Sequence, residues 1–356
     1  MTLPVLWICG PPGVGKSTVA WALCEELGPH VAYVDIDQLG ICYPEPPDDP
    51  GRHRLQARNL AAVVDGYRAA GASAVVVSGV VDPVRGPDAD LLPGADLSVV
   101  RLRADGTVLA ARLERRGSAD LVESALAEAA GVERTSWAAH VVDTTTAAVP
   151  AVVADIRSAV PSWPGASAPG PAPVAPTPAD LDVLWLCGPT GVGKSTVGFP
   201  AYLRLLGSGA RVAYLDLDQV AFCPRLPGDP GGHENRARIA AAIAAGFAAV
   251  GAWRLVVVGQ VDDDALGAYD AAFAPHRRTL VRLHVRPDEL TARILSRRDG
   301  GSWAQPGDPL RDRSVEHLLA VAAEAASTRL GPGHVVDTTG RSADEVAEEV
   351  AALVLG

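Results

Sequence analysis

Lysine is the scarcest basic residue in this chain of 356 residues. Lysine and arginine together number 31, yet only Lys16 and Lys194 are lysines. The 42 acidic residues outnumber the basic ones and give a net charge of -11, and aromatic residues make up only 5%. Since grooves that bind nucleic acid combine basic side chains with stacking aromatic ones, this composition argues against a nucleic-acid partner.

Paired cysteines and long apolar runs are missing as well. The five cysteines form no C-x-x-C pair, and their number is odd, which argues against a disulfide framework or a zinc site. No apolar stretch reaches the roughly 18 residues that a transmembrane helix needs. The N-terminal segment lacks the charged start of a secretory signal. We therefore expect a cytoplasmic protein with no membrane partner.

The chain contains one sequence unit twice, which we call the first and second repeat. The segment "VLWICGPPGVGKSTV" at 5–19 returns as "VLWLCGPTGVGKSTV" at 183–197, and "HVVDTT" at 140–145 returns at 334–339. The second repeat carries one insertion, within 297–314. Seven prolines and no basic residue between the repeats are typical of an extended linker. We predict a first domain at 1–160, a linker at 161–182 and a second domain at 183–356.

The apolar runs of the first repeat are short and bounded by turn residues. They lack polar alternation, which is typical of strands buried on both faces of a parallel sheet. Segments 54–71 and 106–117 have helical spacing and end on glycine. Alternating strands and helices predict an α/β fold with a doubly wound parallel sheet in each domain. The predicted strands are 4–9, 31–35, 74–79, 97–102 and 140–142.

Each repeat contains the pattern G-x-x-x-x-G-K-[ST] between a predicted strand and a predicted helix. Glycines let backbone N–H groups turn towards phosphate oxygens, and the helix N-terminus adds partial positive charge. The lysine reaches the β- and γ-phosphates, and the serine ligates magnesium. Both lysines of the chain lie here, where an arginine could not replace a compact ammonium. The predicted nucleotide-binding residues are Gly10, Gly13, Val14, Gly15, Lys16, Ser17 and Thr18, with Gly188, Gly191, Val192, Gly193, Lys194, Ser195 and Thr196.

An Asp-x-Asp pair closes the second predicted strand of each repeat, as Asp35 and Asp37 and again as Asp216 and Asp218. Ligands bind at this edge in open α/β sheets, and strand alternation predicts that both carboxylates point the same way. One can hold magnesium or its water shell, and the other can accept a proton from an attacking hydroxyl. The third strand ends in Ser78-Gly79, and its counterpart in the second repeat reads "LVVVGQ". The absence of an acid at this strand end in both repeats argues against a motor or AAA-type ATPase.

These features together resemble the small-molecule kinase branch of the P-loop fold. That group includes adenylylsulfate kinase, gluconate and shikimate kinases and chloramphenicol phosphotransferase. The resemblance rests on the phosphate loop, the Asp-x-Asp strand end, the helix starts "HRLQARN" and "HENRARI" and the segment "RLERR". It covers most of each domain and implies two tandem P-loop domains of kinase type that use ATP and Mg²⁺. The implied metal-binding residues are Ser17 and Asp35 in the first repeat, and Ser195 and Asp216 in the second.

The resemblance also implies roles for the remaining polar residues. Asp37 and Asp218 would face the acceptor hydroxyl, and Arg58 and Arg238 would bind the acceptor. Arginines of a lid close over the transferring phosphoryl group in these kinases, although an arginine-rich helix face can also be simply solvated. The implied catalytic set is Lys16, Asp37 and Arg112 in the first repeat, and Lys194, Asp218 and Arg293 in the second.

The sequence thus predicts an ATP- and Mg²⁺-dependent phosphotransferase that acts on the hydroxyl of a small molecule. Two alternatives stay open, a regulatory nucleotide-binding ATPase or switch without an acceptor, and a polynucleotide 5′-hydroxyl kinase. Pro200 falls inside the helix after the second loop, where it removes a backbone donor. We therefore expect the first repeat to hold the more conventional catalytic site. The second could have its own acceptor or a regulatory role.

Overall fold

A computed structural model describes residues 2–165, 180–227, 229, 232–259, 265–274, 276–300, 308–328 and 331–355. The chain forms two compact units. The first unit contains the residues before Ile41, those from Asp48 to the linker, and Gln219–Asn235; the second contains Ile41–Pro47 and the other residues after the linker. This division differs from the contiguous boundaries predicted above, because a short segment of each repeat belongs to the other repeat's unit.

The strands and helices of the first repeat confirm the predicted α/β pattern. All five predicted strands are present, and both predicted helices coincide with observed helices to within two residues. In chain order the elements are β1 (Leu3–Cys9), α1 (Lys16–Leu27), β2 (Val31–Asp35), β3 (Cys42–Tyr43), α2 (His53–Ala70), β4 (Ala74–Gly79), β5 (Ala95–Arg103), α3 (Gly106–Arg115), α4 (Val122–Glu133), β6 (His140–Asp143) and α5 (Val149–Ala159).

The second repeat follows the same order of elements, with one additional helix, α8, between β10 and β11. Its helix α6 continues through Pro200, so the proline does not end the helix. Part of the predicted insertion, at 301–307, lies outside the described residues. The elements are β7 (Asp182–Cys187), α6 (Lys194–Leu206), β8 (Val212–Asp216), β9 (Ala221–Phe222), α7 (His233–Ala249), β10 (Arg254–Val258), α8 (Leu266–Ala272), β11 (Arg277–His284), α9 (Pro287–Ser296), α10 (Val315–Ala326), β12 (His334–Asp337) and α11 (Ala343–Leu355).

Each unit is built on a sheet whose longer strands run parallel. The strand order is β6-β5-β1-β4-β2-β9 in the first unit and β12-β11-β7-β10-β8-β3 in the second. The edge strands β9 and β3 are antiparallel to their neighbours and come from the other repeat, with Tyr33 opposite Phe222 and Cys42 opposite Ala213. The two repeats therefore exchange the short strand that follows each Asp-x-Asp pair.

The central strand of each sheet is buried on both faces. Every residue of β1 is buried, and Leu6 and Ile8 join a core that includes Leu23 of α1 and Val152 of α5. Such burial explains the continuous apolar runs in the sequence. Because the strands are parallel, the turns after β1, β2 and β4 meet at one edge of the sheet. No helix in the described part of the chain is long and apolar enough to cross a membrane.

Candidate nucleotide site

The first phosphate loop leaves β1 at Gly10 and enters α1 at Lys16. Gly10, Gly13 and Gly15 have φ values of 140°, 82° and 98°, a region that only glycine adopts readily. A Cβ on Gly10 would lie 2.4 Å from the carbonyl oxygen of Leu102. The loop therefore requires glycine for both backbone conformation and space.

The Lys16 side chain is folded into this loop. Its Nζ donates to the carbonyl oxygens of Gly10 at 2.7 Å and Pro11 at 3.0 Å. Burial lowers the pKa of Lys16, and the nearby carboxylate of Asp37 opposes that shift. The ammonium is therefore held at the loop by main-chain acceptors, next to an acidic group in the turn after the adjoining strand.

The second loop repeats this geometry. Gly188, Gly191 and Gly193 have φ values of 148°, 84° and 101°. The buried Lys194 donates from Nζ to the carbonyl oxygens of Gly188 at 3.1 Å and Pro189 at 3.2 Å. Helices α1 and α6 begin at the two lysines. The N–H groups of a helix's first turn have no intrahelical partner, so each loop has donors suited to an anion.

The Asp-x-Asp pairs lie at the end of the adjoining strand, but strand alternation does not orient both carboxylates. Strand β2 ends at the buried Asp35, and Asp37 lies in a 3₁₀ turn over Ile36–Gly40. The Asp37 N–H donates to Asp35 Oδ1 at 3.0 Å, and Asp218 bonds to Asp216 in the same way at 3.0 Å. The prediction of two carboxylates aligned by alternation is wrong, because the turn places the second one.

Ser78, at the end of β4, belongs to the interior. Its hydroxyl is fully buried and lies 2.8 Å from the Tyr33 hydroxyl. A Cβ on Gly79 would lie 2.2 Å from Cγ2 of the buried Ile36. The end of this strand is thus packed against the Asp-x-Asp turn. At the ends of β2 and β4, the acidic groups next to the first loop are therefore Asp35 and Asp37.

Serine and aspartate oxygens that fit a magnesium ion lie together in the second unit. Ser195 Oγ donates to Asp216 Oδ2 at 2.7 Å. Burial and the charge of Asp218 raise the pKa of Asp216 to about 6. The described residues contain no group of three or more His, Cys, Asp or Glu side chains suited to a metal. The oxygens of Ser195 and Asp216 nevertheless fit Mg²⁺, because this ion is usually bound by one or two carboxylates together with phosphates and water.

Arg112 lies beside the first loop, in the last turn of α3. Its Nη1 donates to Thr144 Oγ1 at 3.0 Å and to the Val14 carbonyl at 3.4 Å, and its Nη2 donates to the Thr144 carbonyl at 2.6 Å. These donors are directed at the loop and at the segment after β6, and the lid role that the resemblance implies stays a prediction. Arg293 bonds in the same way to Thr338 and Val192.

The arginines expected to bind the acceptor, Arg58 on α2 and Arg238 on α7, are exposed. Another arginine of α7 is paired with the Asp-x-Asp turn, because Arg236 Nη1 lies 3.8 Å from Asp218 Oδ1. The sequence did not single out Arg236, since the corresponding position of α2 is Gln56. The sequence signal that could have identified Arg236 is the first arginine in "HENRARI", two residues before Arg238.

Glu128 on α4 is a second group that the sequence did not reveal. Its carboxylate is half-buried and interacts electrostatically with Lys16 and Asp37. Burial raises the pKa of Glu128, and the neighbouring ammonium of Lys16 partly offsets this rise. The helix "VESALAEAAGVE" has no motif that distinguishes this glutamate from its surface glutamates. Packing alone brings it to the phosphate loop.

A family model described as an AAA domain matches residues 6–129. The match spans about a third of the chain and includes the first loop, the first Asp-x-Asp pair and Glu128. The expectation that an AAA-type ATPase is excluded therefore stays a prediction. No curated protein matches the chain.

Several solved structures resemble about half of the chain. A sugar kinase from Janibacter is 18% identical over 46% of this chain and 97% of its own, with a TM-score of 0.33. The APS kinase of Mycobacterium tuberculosis, solved with AMPPNP and APS, is 20% identical over 51% of this chain and 100% of its own, with a TM-score of 0.33. A tunicamycin resistance protein from Deinococcus radiodurans is 23% identical over 44% of this chain and 95% of its own, with a TM-score of 0.33.

Proposed function

We propose that the chain is an ATP- and Mg²⁺-dependent phosphotransferase that acts on a small-molecule hydroxyl, with one nucleotide site in each repeat. One observation carries the proposal. In both units a lysine ammonium is held in a glycine loop, next to an Asp-x-Asp turn on the adjoining strand. A phosphate cradle beside a carboxylate suits transfer of a phosphoryl group to a hydroxyl. The cytoplasm, where ATP is plentiful, is the location that we propose.

The loop would bind the nucleotide through groups that are already in position. The phosphates of ATP would take over from the carbonyls of Gly10 and Pro11 as partners of the Lys16 ammonium. The N–H groups of the first turn of α1 would donate to the same phosphates. Ser17 and Asp35 would hold Mg²⁺, which supplies charge neutralisation for the β- and γ-phosphates when bound.

Asp37 would act on the acceptor. Its carboxylate lies in a turn, is exposed, and is close enough to Lys16 for their charges to interact. The acceptor oxygen forms a bond to the γ-phosphorus while the bond to the β–γ bridging oxygen breaks, which releases ADP. The hydroxyl proton passes to Asp37. Arg58 would hold the acceptor from α2, and Asp218 and Arg238 would have these roles in the second unit.

The test uses γ-labelled ATP with Mg²⁺ and a small-molecule extract of cells. The parent protein, Lys16→Ala, Lys194→Ala and the double variant are compared, with Arg157→Ala as the control. Arg157 is exposed on α5 and forms a surface ion pair with Glu26, so its loss should leave transfer unchanged. We expect label in a small molecule with the parent and none with the double variant. Label released only as inorganic phosphate would support the switch alternative instead.

A further inference from the structure

The two units differ in charge next to the second aspartate of the Asp-x-Asp pair. We propose that the second unit takes an acceptor that carries an anionic group, such as a phosphate, sulfate or carboxylate. The first unit takes an acceptor without a negative charge at that place. This inference rests on the proposed phosphotransfer, and it identifies the substrate class of each site.

In the second unit, the cation next to the second aspartate is Arg236. Its Nη1 lies 3.8 Å from Asp218 Oδ1, and the two side chains are 32% and 33% exposed. A partly exposed ion pair at this distance contributes little to stability, so an anion that recruits Arg236 displaces a weak partner. Guanidinium groups bind phosphate and carboxylate through two parallel hydrogen bonds. Arg236 is thus available to a solute that reaches Asp218.

In the first unit an uncharged residue occupies the position of Arg236, and Arg52, just before α2, donates from Nη1 to the Gly40 carbonyl at 2.7 Å. Helices α2 and α7 begin at His53 and His233, and counting from these starts places Gln56 opposite Arg236. Gln56 is only 3% exposed, and a Cβ on Gly40 would lie 2.6 Å from its Cγ. This amide is therefore packed against the Asp-x-Asp turn and offers no positive charge to an acceptor.

A second difference lies on the helix that follows the lid segment. In α4 the carboxylate of Glu128 interacts with Lys16 and Asp37. The corresponding position of α10 is Val321, which packs against the core of the second unit. The alignment follows the buried residues, since Ala125 and Val132 of α4 occupy the places of Leu318 and Ala325 in α10.

The two loop lysines also differ in their charged neighbours, because Arg297 lies near Lys194 whereas Glu128 lies near Lys16. The guanidinium of Arg297 is close enough to Lys194 to lower that lysine's pKa, a smaller effect than burial. Arg297 itself is paired with the buried Asp308 at 2.7 Å. Compared with the first site, the second therefore has an arginine beside the second aspartate of the Asp-x-Asp pair and one carboxylate fewer near the loop.

These differences act on selectivity because the acceptor lies beside the phosphates of ATP. An anionic acceptor is repelled by those phosphates, and Arg236 offsets the repulsion in the second unit. In the first unit the carboxylate of Glu128 adds to the repulsion of an anionic acceptor. Repulsion of the wrong partner is an efficient source of specificity.

The turnover test uses the full chain, because each unit contains a segment of both repeats. Lys16→Ala leaves the second loop intact, and Lys194→Ala leaves the first. A cell extract is separated by anion exchange into retained and unretained small molecules, and each fraction is offered with γ-labelled ATP. We expect Lys16→Ala to label the retained fraction and Lys194→Ala the unretained one. Labelling of one common fraction by both variants, or the reverse pattern, overturns the inference. If neither variant labels any fraction, the proposed phosphotransfer fails.

A binding measurement tests the inference without turnover. Both loops are filled with Mg²⁺ and AMPPNP, and sulfate is titrated by calorimetry. We expect sulfate to bind the parent and to bind about tenfold more weakly to Arg236→Gln, since a hydrogen bond to a charged group is lost. The control is Arg54→Gln, an exposed arginine of α2, which should leave sulfate binding unchanged. Equal binding by Arg236→Gln and the parent, or no sulfate binding by the parent, contradicts the inference.

Discussion

Arg112 holds Thr144 through two hydrogen bonds, one to its hydroxyl at 3.0 Å and one to its carbonyl at 2.6 Å. The same guanidinium donates to the Val14 carbonyl of the phosphate loop. Arg293 makes the equivalent contacts with Thr338. One side chain thus fixes the loop to the turn after the last strand in each unit, so these arginines brace the nucleotide site.

This bracing predicts the effect of Arg112→Lys. A lysine cannot supply the planar fork of donors that meets Thr144 and Val14. We expect AMPPNP to bind the first loop about tenfold more weakly, in a Lys194→Ala background where only this loop binds nucleotide. Calorimetry measures the affinity, and circular dichroism checks that the variant is folded. Unchanged affinity together with lost turnover would favour the lid role over the bracing role.

Glu128→Gln should strengthen nucleotide binding at the first loop. The carboxylate lies near Lys16 and competes with the phosphates for that cation. Because Glu128 is only half-buried, we expect a gain of about 1 kcal/mol, or roughly fivefold in the affinity for AMPPNP. The matched control is Glu133→Gln, an exposed glutamate at the end of the same helix, which should have no effect.

The pH dependence of this effect has a defined sign. Burial raises the pKa of Glu128, so the group is protonated at low pH and ionises as pH rises through that pKa. Affinity in the parent should therefore fall over this range relative to Glu128→Gln, which has no such group. Titration of AMPPNP into both proteins at several pH values measures the difference. A constant affinity ratio across pH would show that Glu128 does not act through its charge.

Gly10→Ala and Gly15→Ala separate two reasons for glycine in the first loop. Both positions have positive φ, but a Cβ would meet Leu102 O at 2.4 Å from Gly10 and no atom within 4 Å from Gly15. We expect Gly15→Ala to lower the free energy of unfolding by about 1–2 kcal/mol. Gly10→Ala should cost more, because the clash involves backbone. Urea unfolding measures both, and equal losses would be inconsistent with this packing.

The exchanged strands predict the behaviour of a chain cut in the linker. Each unit contains a segment of the other repeat, with β9 paired to β2 and β3 paired to β8. A protease site introduced into 161–182 should therefore yield two fragments that elute together on size exclusion and still bind AMPPNP. Separation should require denaturant. Fragments that separate under native conditions would contradict the exchange.

The parallel sheets and both glycine loops could be predicted from the sequence because their signals are local. Buried central strands give continuous apolar runs, and a phosphate loop needs glycine and lysine at fixed spacing. The two lysines identified the loops among many arginines. Each of these features depends on residues close together in the chain.

The features that escaped prediction depend on contacts between distant residues. Strands β3 and β9 have two residues each, which is too short to show a periodic pattern. Their sequences therefore do not predict which sheet they join. Glu128 lies on a helix without a motif, and only folding brings it to Lys16. The orientation of Asp37 was predicted from strand alternation, but a 3₁₀ turn begins immediately after Asp35.

The most direct test of the proposed function is the mass of the product formed from ATP. The full chain is incubated with MgATP and fractionated small molecules, and the products are analysed by mass spectrometry beside the Lys16→Ala, Lys194→Ala double variant. A phosphotransferase should produce a compound heavier than its precursor by one phosphoryl group, with ADP in equal amount, and the double variant should produce neither. ADP formed with inorganic phosphate and no phosphorylated compound would contradict the proposal.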